Sequence, residues 1–124
     1  MIGSRIKVLI VDDDPDLLKL CSSYLRLFDL NVVGTASNGF DALEMLKDSI
    51  TKPDVIVIDY HMPEINGIET SKMILKIDNS YKIIMISADS SIKNKALCSG
   101  IHEFIEKPFK FWILGEKIKQ VARN

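Results

Sequence analysis

The chain has 124 residues, of which 47% are hydrophobic and 27% charged, with a formal net charge of -1. That length buries one core and not two, and so small a net charge gives no electrostatic reason for nucleic acid as a partner, because phosphate backbones recruit strongly basic surfaces. No apolar stretch approaches the roughly 20 residues of a membrane-crossing helix, and Met1-Ile2-Gly3-Ser4-Arg5 lacks the apolar region of a secretory signal, so a cytoplasmic protein acting without membrane is expected.

The first strand is predicted over Ile6 to Asp12, where Val8-Leu9-Ile10-Val11 runs into Asp12-Asp13-Asp14. Consecutive carboxylates repel and raise one another's pKa, a cost that a hard divalent cation removes. Asp12 and Asp13 are therefore read as candidate metal ligands, and Asp14 as the N-cap of the following helix with Pro15 at its first position. That helix is predicted over Pro15 to Phe28, its buried stripe being Leu17, Leu20, Cys21, Tyr24, Leu25 and Phe28, with Leu18 and Leu27 off it.

A second strand over Asn31 to Ala36 and a second helix over Gly39 to Ser49 follow, then a third strand over Val55 to Asp59. Asp59 opens the segment Asp59-Tyr60-His61-Met62-Pro63-Glu64-Ile65-Asn66-Gly67, an Asp-x3-Pro-x3-Gly pattern. A strand-end carboxylate can attack phosphorus and form an acyl phosphate when a metal and a cation neutralise the transferring group. Helix three is predicted over Gly67 to Leu75, strand four over Lys82 to Ser87, helix four over Ser91 to Ser99, strand five over Glu103 to Ile105 and helix five over Lys110 to Ala122. Strand four ends on Ser87, a hydroxyl donor, and strand five leads to Lys107-Pro108, a cation.

Continuous apolar strands alternating with amphipathic helices imply a parallel sheet covered on both faces. Asp12, Asp59, Ser87 and Lys107 then share the carboxyl edge of that α/β sheet, where such folds bind ligands and do chemistry. Each residue alone is a weak signal; the ordered set points to phosphoryl transfer.

Val11-Asp12-Asp13, Asp59-x3-Pro63-x3-Gly67, Ile86-Ser87-Ala88 and Lys107-Pro108-Phe109 together resemble the receiver domain of two-component response regulators, over essentially residues 1–124. The resemblance implies the flavodoxin-like, doubly wound (βα)5 fold with strand order 2-1-3-4-5. It implies that Asp59 takes a phosphoryl group from a histidine kinase or histidine phosphotransfer protein. It implies Mg²⁺, with Mn²⁺ as a substitute, held by Asp13 directly, by Asp12 partly through water, by Asp59 and by the His61 backbone carbonyl. Lys107 would contact a phosphoryl oxygen, Ser87 would move its hydroxyl toward the group, and the Phe104 rotamer would follow. Ser87 stands where Thr is frequent and Phe104 where Tyr is frequent, so this switch cannot end in a phenolic hydrogen bond. His61 and Asp89 occupy the variable positions two residues beyond Asp59 and Ser87, where side chains influence how long the acyl phosphate survives.

The family implies that phosphorylation redistributes two arrangements of the fourth helix, fifth strand and fifth helix. The resulting face would meet a downstream protein target or form a homodimer. Phe111, Leu114, Ile118 and Val121 have the spacing of a buried stripe, leaving Trp112 either exposed as an anchor on that face or folded over the core edge. His61 is expected at the site rim, His102 on the surface without a partner, and Lys93, Lys95, Lys117 and Lys119 on solvated helix faces. Cys21 and Cys98 are expected to be core or half-buried thiols.

No output domain follows the fifth helix in this sequence, which favours a receiver acting alone, as a diffusible output or a relay intermediate. The chain would catalyse only its own phosphorylation and dephosphorylation. An aspartyl-nucleophile Mg²⁺-dependent phosphohydrolase is the alternative, although such enzymes carry Asp-x-Asp and here the second residue after Asp59 is His61. A flavin-binding flavodoxin is disfavoured because Asp12-Asp13-Asp14 would repel the flavin phosphate.

Overall fold

A computed structural model describes residues 5–48 and 52–124. Strands β1 (Lys7–Val11), β2 (Asn31–Ala36), β3 (Val55–Asp59), β4 (Ile83–Ser87) and β5 (Glu103–Glu106) alternate with helices α1 (Pro15–Leu27), α2 (Gly39–Asp48), α3 (Gly67–Ile77), α4 (Lys93–Cys98) and α5 (Phe111–Arg123). The strands pair in parallel in the order β2-β1-β3-β4-β5. Ser49, the expected last residue of the second helix, lies outside the described residues.

Successive strand residues point to opposite faces, so each apolar strand feeds two cores. Leu9, Val11, Ile56, Ile58, Ile83 and Met85 face one layer with Ala42, Leu46, Ile74 and Ala96 of α2, α3 and α4. Val8, Ile10, Val55, Val57, Ile84 and Ile86 face the other with Cys21 and Leu25 of α1 and Leu114, Ile118 and Val121 of α5. Burying each such aliphatic side chain contributes about 1.5–3 kcal/mol, and a one-residue slip of any strand would exchange its two layers. Edge strand β2 carries a register irregularity: Val8 and Leu9 of β1 pair with its Val32 and Gly34, skipping Val33. A bulge of this kind makes an edge a poorer template for another chain.

The α1 stripe is narrower than the spacing predicts. Cys21 and Leu25 are buried, but Leu20 and Tyr24 are exposed, and Leu18 packs against the core instead. Tyr24 leaves the core to stack on Phe111 of α5, with ring centroids 4.6 Å apart and planes 2° from parallel. The fourth helix is also shorter than predicted, because Ser90–Ile92 form a separate 3-10 turn ahead of α4. Asp89 caps that turn by accepting from the Ser91 backbone N–H. Cys98 is exposed, whereas Cys21 is buried and its thiol is pushed up to about 12, first by burial and then by the charge of Asp12.

Candidate functional site

Each chemically active residue is set by the strand that precedes it. The Asp12 N–H donates to the Ala36 carbonyl at 3.0 Å, the Tyr60 N–H to the Ile86 carbonyl at 2.9 Å and the Lys107 N–H to the Ser87 carbonyl at 2.9 Å. Sheet pairing thus continues to the carboxyl edge and brings the ends of β1, β3, β4 and β5 alongside one another. Beyond β3 the chain turns tightly, the Gly67 N–H donating to the Tyr60 carbonyl at 2.8 Å. A Cβ on Gly67 would lie 2.5 Å from the Asp59 carbonyl oxygen and 2.9 Å from Tyr60 Cα, so only glycine closes this turn against the backbone. Asn66 then starts α3 with a capping box to Glu69.

Asp59 and Asp12 are 6% and 4% exposed, which is unusual for carboxylates and decides their electrostatics. Lys107 Nζ lies 3.0 Å from Asp59 Oδ1 and 3.9 Å from Asp12 Oδ2. Burial pushes Asp12 up to about 6, opposed by the Asp14 N–H that donates to its Oδ1 at 2.9 Å and reinforced by the Asp59 charge. Burial also raises Asp59, with Lys107 acting against it. Burial, the largest single influence, pulls the Lys107 ammonium down, but its bond to Asp59 and the charges of Asp59, Asp12 and Asp13 together outweigh this and leave it raised.

One carboxylate oxygen each from Asp12, Asp13 and Asp59 falls within 4.8 Å of the others. Opposed ligands of an octahedral hard cation stand roughly 4 Å apart, so a small closing movement suffices to hold one. The fit rests on the donor set: two buried carboxylates raised by desolvation and a third, exposed one beside them. Asp14 plays no part in that set. Its carboxylate accepts from the Asp16 and Leu17 N–H groups at 3.0 and 3.4 Å, capping α1 as expected.

The remaining predicted residues lie around this cluster. Ser87 is fully buried, and its hydroxyl accepts from the Asp89 N–H at 3.0 Å. Phe104 is buried in the layer containing Met85 and Ala96. His61 is exposed at the rim, its ring edge-on to Tyr60 at 4.8 Å. Trp112 is 54% exposed, which rules out the core-edge arrangement.

His102 is exposed, as expected, but it has a partner: its Nδ1 accepts from the Ile83 N–H at 3.2 Å, while the Ile83 carbonyl accepts from the His102 N–H. Burial and Lys82 hold that imidazole below its usual range. Lys117 pairs with Glu103 and Lys119 with Glu116, so both belong to mixed-charge helix surface. The bonds around Asp89 and Ser91 were missed; an Asp-x-Ser turn signal at Asp89-Ser90-Ser91 is the pattern that would have found them.

Comparison with known proteins agrees with the arrangement. Residues 8–119 match the family model of the response regulator receiver domain. The chain is 36% identical over 119 residues to the chemotaxis protein CheY of Thermotoga maritima, covering 94% of this chain and 98% of that one. It is 34% identical to the transcriptional regulatory protein PrrA of Mycobacterium leprae, but spans only 52% of it. The response regulator domain of Thermotoga maritima CheB superposes with a TM-score of 0.85 at 33% identity, over 98% of both chains. A chain of the CheX-CheY-BeF3-Mg complex of Borrelia burgdorferi does so at 0.87 and 28%, over 94% of this chain and 88% of that one. With Asp59, Lys107 and the paired carboxylates at the carboxyl edge of a 2-1-3-4-5 sheet, the chain belongs to the response regulator receiver domains, the phosphoryl-accepting switches of two-component signalling.

Proposed function

We propose that Asp59 is the phosphoacceptor and that residues 1–124 form one receiver domain built around it. The observation that carries this reading is the 3.0 Å approach of Lys107 Nζ to a buried Asp59 carboxylate, with Asp12 and Asp13 alongside. Asp59 Oδ attacks the phosphorus of a phosphohistidine on a histidine kinase or phosphotransfer protein, and the imidazole leaves. Lys107 holds a phosphoryl oxygen and offsets the added charge. Asp12, Asp13, Asp59 and the His61 backbone carbonyl would hold Mg²⁺, or Mn²⁺ in its place. When bound, the ion neutralises charge on the transferring group.

Ser87 and Phe104 carry the signal outward. The Ser87 hydroxyl, which accepts from the Asp89 N–H, turns to donate its own hydrogen to a phosphoryl oxygen, and Phe104 repacks between β5 and α4 as the turn moves. That repacking selects one arrangement of α4, β5 and α5, a population shift driven by the phosphoryl group's preference for one state. Exposed Trp112, on α5, is the apolar anchor of the face so formed, which binds a downstream protein or a second copy of the chain. The acidic site and small net charge favour protein over nucleic acid as the direct partner. Among the described residues no helix is long and apolar enough to cross a membrane.

Incubation with acetyl phosphate tests the assignment. One phosphoryl mass should be added in Mg²⁺ and none in excess chelator, and Asp59→Asn should not be labelled. Undiminished labelling of the variant would move the acceptor elsewhere.

A further inference from the structure

The turn after β4 holds a chain of hydrogen bonds that phosphoryl acceptance does not itself require. The Ser87 hydroxyl accepts from the Asp89 N–H. Asp89 Oδ1 in turn accepts from the Ser91 hydroxyl at 2.5 Å and from the Ser91 N–H at 3.0 Å. Two donors on one oxygen fix the carboxylate at the head of the 3-10 turn Ser90–Ile92. The Ser91 hydroxyl is the largest influence holding Asp89 below the usual carboxylate range, followed by the Ser91 N–H, with a smaller contribution from the charge of His61. That same imidazole acts on Asp59, where burial dominates. Asp89 and Asp59 thus lie within electrostatic reach of the same rim imidazole.

We propose that Ser91 is a positioning residue for loss of the phosphoryl group: its hydroxyl ties the Asp89 carboxylate into the turn and withholds it from the water that hydrolyses phosphorylated Asp59. The inference rests on Asp59 being the phosphoacceptor. In that hydrolysis the water oxygen bonds to phosphorus while the bond between phosphorus and the Asp59 carboxylate oxygen breaks. Asp59 keeps the electron pair, and a water proton passes to a base. Asp89, two residues beyond Ser87 and outside the cation-holding set of Asp12, Asp13 and Asp59, is a carboxylate on hand for that proton, but bound to Ser91 it is a weaker base and is held in one orientation. Removing the hydroxyl leaves the Ser91 N–H bond, so the turn keeps its cap while the carboxylate gains basicity and freedom to rotate.

The test uses the whole 124-residue chain labelled with acetyl phosphate in Mg²⁺, freed of donor by rapid desalting and followed by intact mass. Ser91→Ala should lose its phosphoryl group at least twofold faster than the parent, and Ser91→Thr, which keeps a hydroxyl, should restore the parental rate. Asp89→Ala and the Asp89→Ala/Ser91→Ala double variant should decay alike, because Ser91 acts only through Asp89. Decay of Ser91→Ala no faster than the parent, or an equal acceleration by Ser91→Ala in the Asp89→Ala background, would overturn the proposal. A parent that takes no label at Asp59 overturns the phosphoacceptor reading itself, and this inference with it.

Discussion

Asp12→Asn should stabilise the metal-free protein at neutral pH, although it removes a charged residue from the heart of the site. Burial raises the Asp12 pKa from 3.8 to about 6. A folded pKa above the unfolded one means that the native state binds the proton more tightly, so this stabilisation is complete below about pH 4 and is lost as pH rises through about 6. At pH 7.5 the buried charge therefore burdens the fold by up to about 3 kcal/mol, at 1.36 kcal/mol for each of about two units. Asparagine keeps an oxygen for the Asp14 N–H but gives up the 3.9 Å approach to Lys107, so about 1–2 kcal/mol of net gain is expected. Urea unfolding in chelator at pH 7.5 and at pH 4 measures it. The variant should be more stable at the higher pH and nearly equal to the parent at the lower, and Mg²⁺ should narrow the gap by stabilising the parent more. A variant less stable than the parent at pH 7.5 without metal, or a difference that does not change with pH, would refute the reasoning.

Asp13→Asn should weaken Mg²⁺ binding, read as a smaller Mg²⁺-induced rise in melting temperature, while leaving the metal-free melt within about 1 kcal/mol of the parent; a variant that melts far below it would make Asp13 structural. Gly67→Ala should cost about 1–3 kcal/mol in urea unfolding, since its methyl group meets the Asp59 carbonyl and Tyr60 Cα rather than a movable side-chain end. Unchanged stability would mean that the turn yields more readily than its packing implies. Trp112→Ala should weaken self-association of the phosphorylated protein by about tenfold or more, as for a hot-spot residue, without altering phosphoryl uptake; sedimentation of parent and variant in the presence of acetyl phosphate checks this, and equal self-association of the two would remove Trp112 from the interface.

The sheet was legible because its central strands β1, β3 and β4 are short, continuous apolar runs that admit burial on both faces and little else. The polar residue ending each run was legible for the same reason, as a break in an otherwise uninterrupted pattern. What the chain did not reveal depends on contacts between segments far apart in sequence. Tyr24 has the spacing of a core residue, yet Phe111 from α5 offers its ring a stacking partner outside the core. His102 finds the Ile83 N–H only once β4 and β5 are in register. Asp89 read as a residue near the reaction, and its competing use as a cap is what splits the expected fourth helix into a 3-10 turn and α4. Motif spacing ordered Asp59 and Lys107 along the chain, but their 3.0 Å separation and the near-complete burial of Asp59 come from the folded sheet edge.

The central claim is that a phosphohistidine partner hands its phosphoryl group to Asp59. The most direct measurement is transfer from a phosphorylated histidine phosphotransfer domain to the purified chain in Mg²⁺, with the acceptor mapped by tandem mass spectrometry. The account predicts a single phosphorylated residue, Asp59, and no transfer to Asp59→Asn. Phosphorylation mapped to Ser87, Asp12 or Asp13 in the parent, or transfer to the variant at the parental rate, would contradict it.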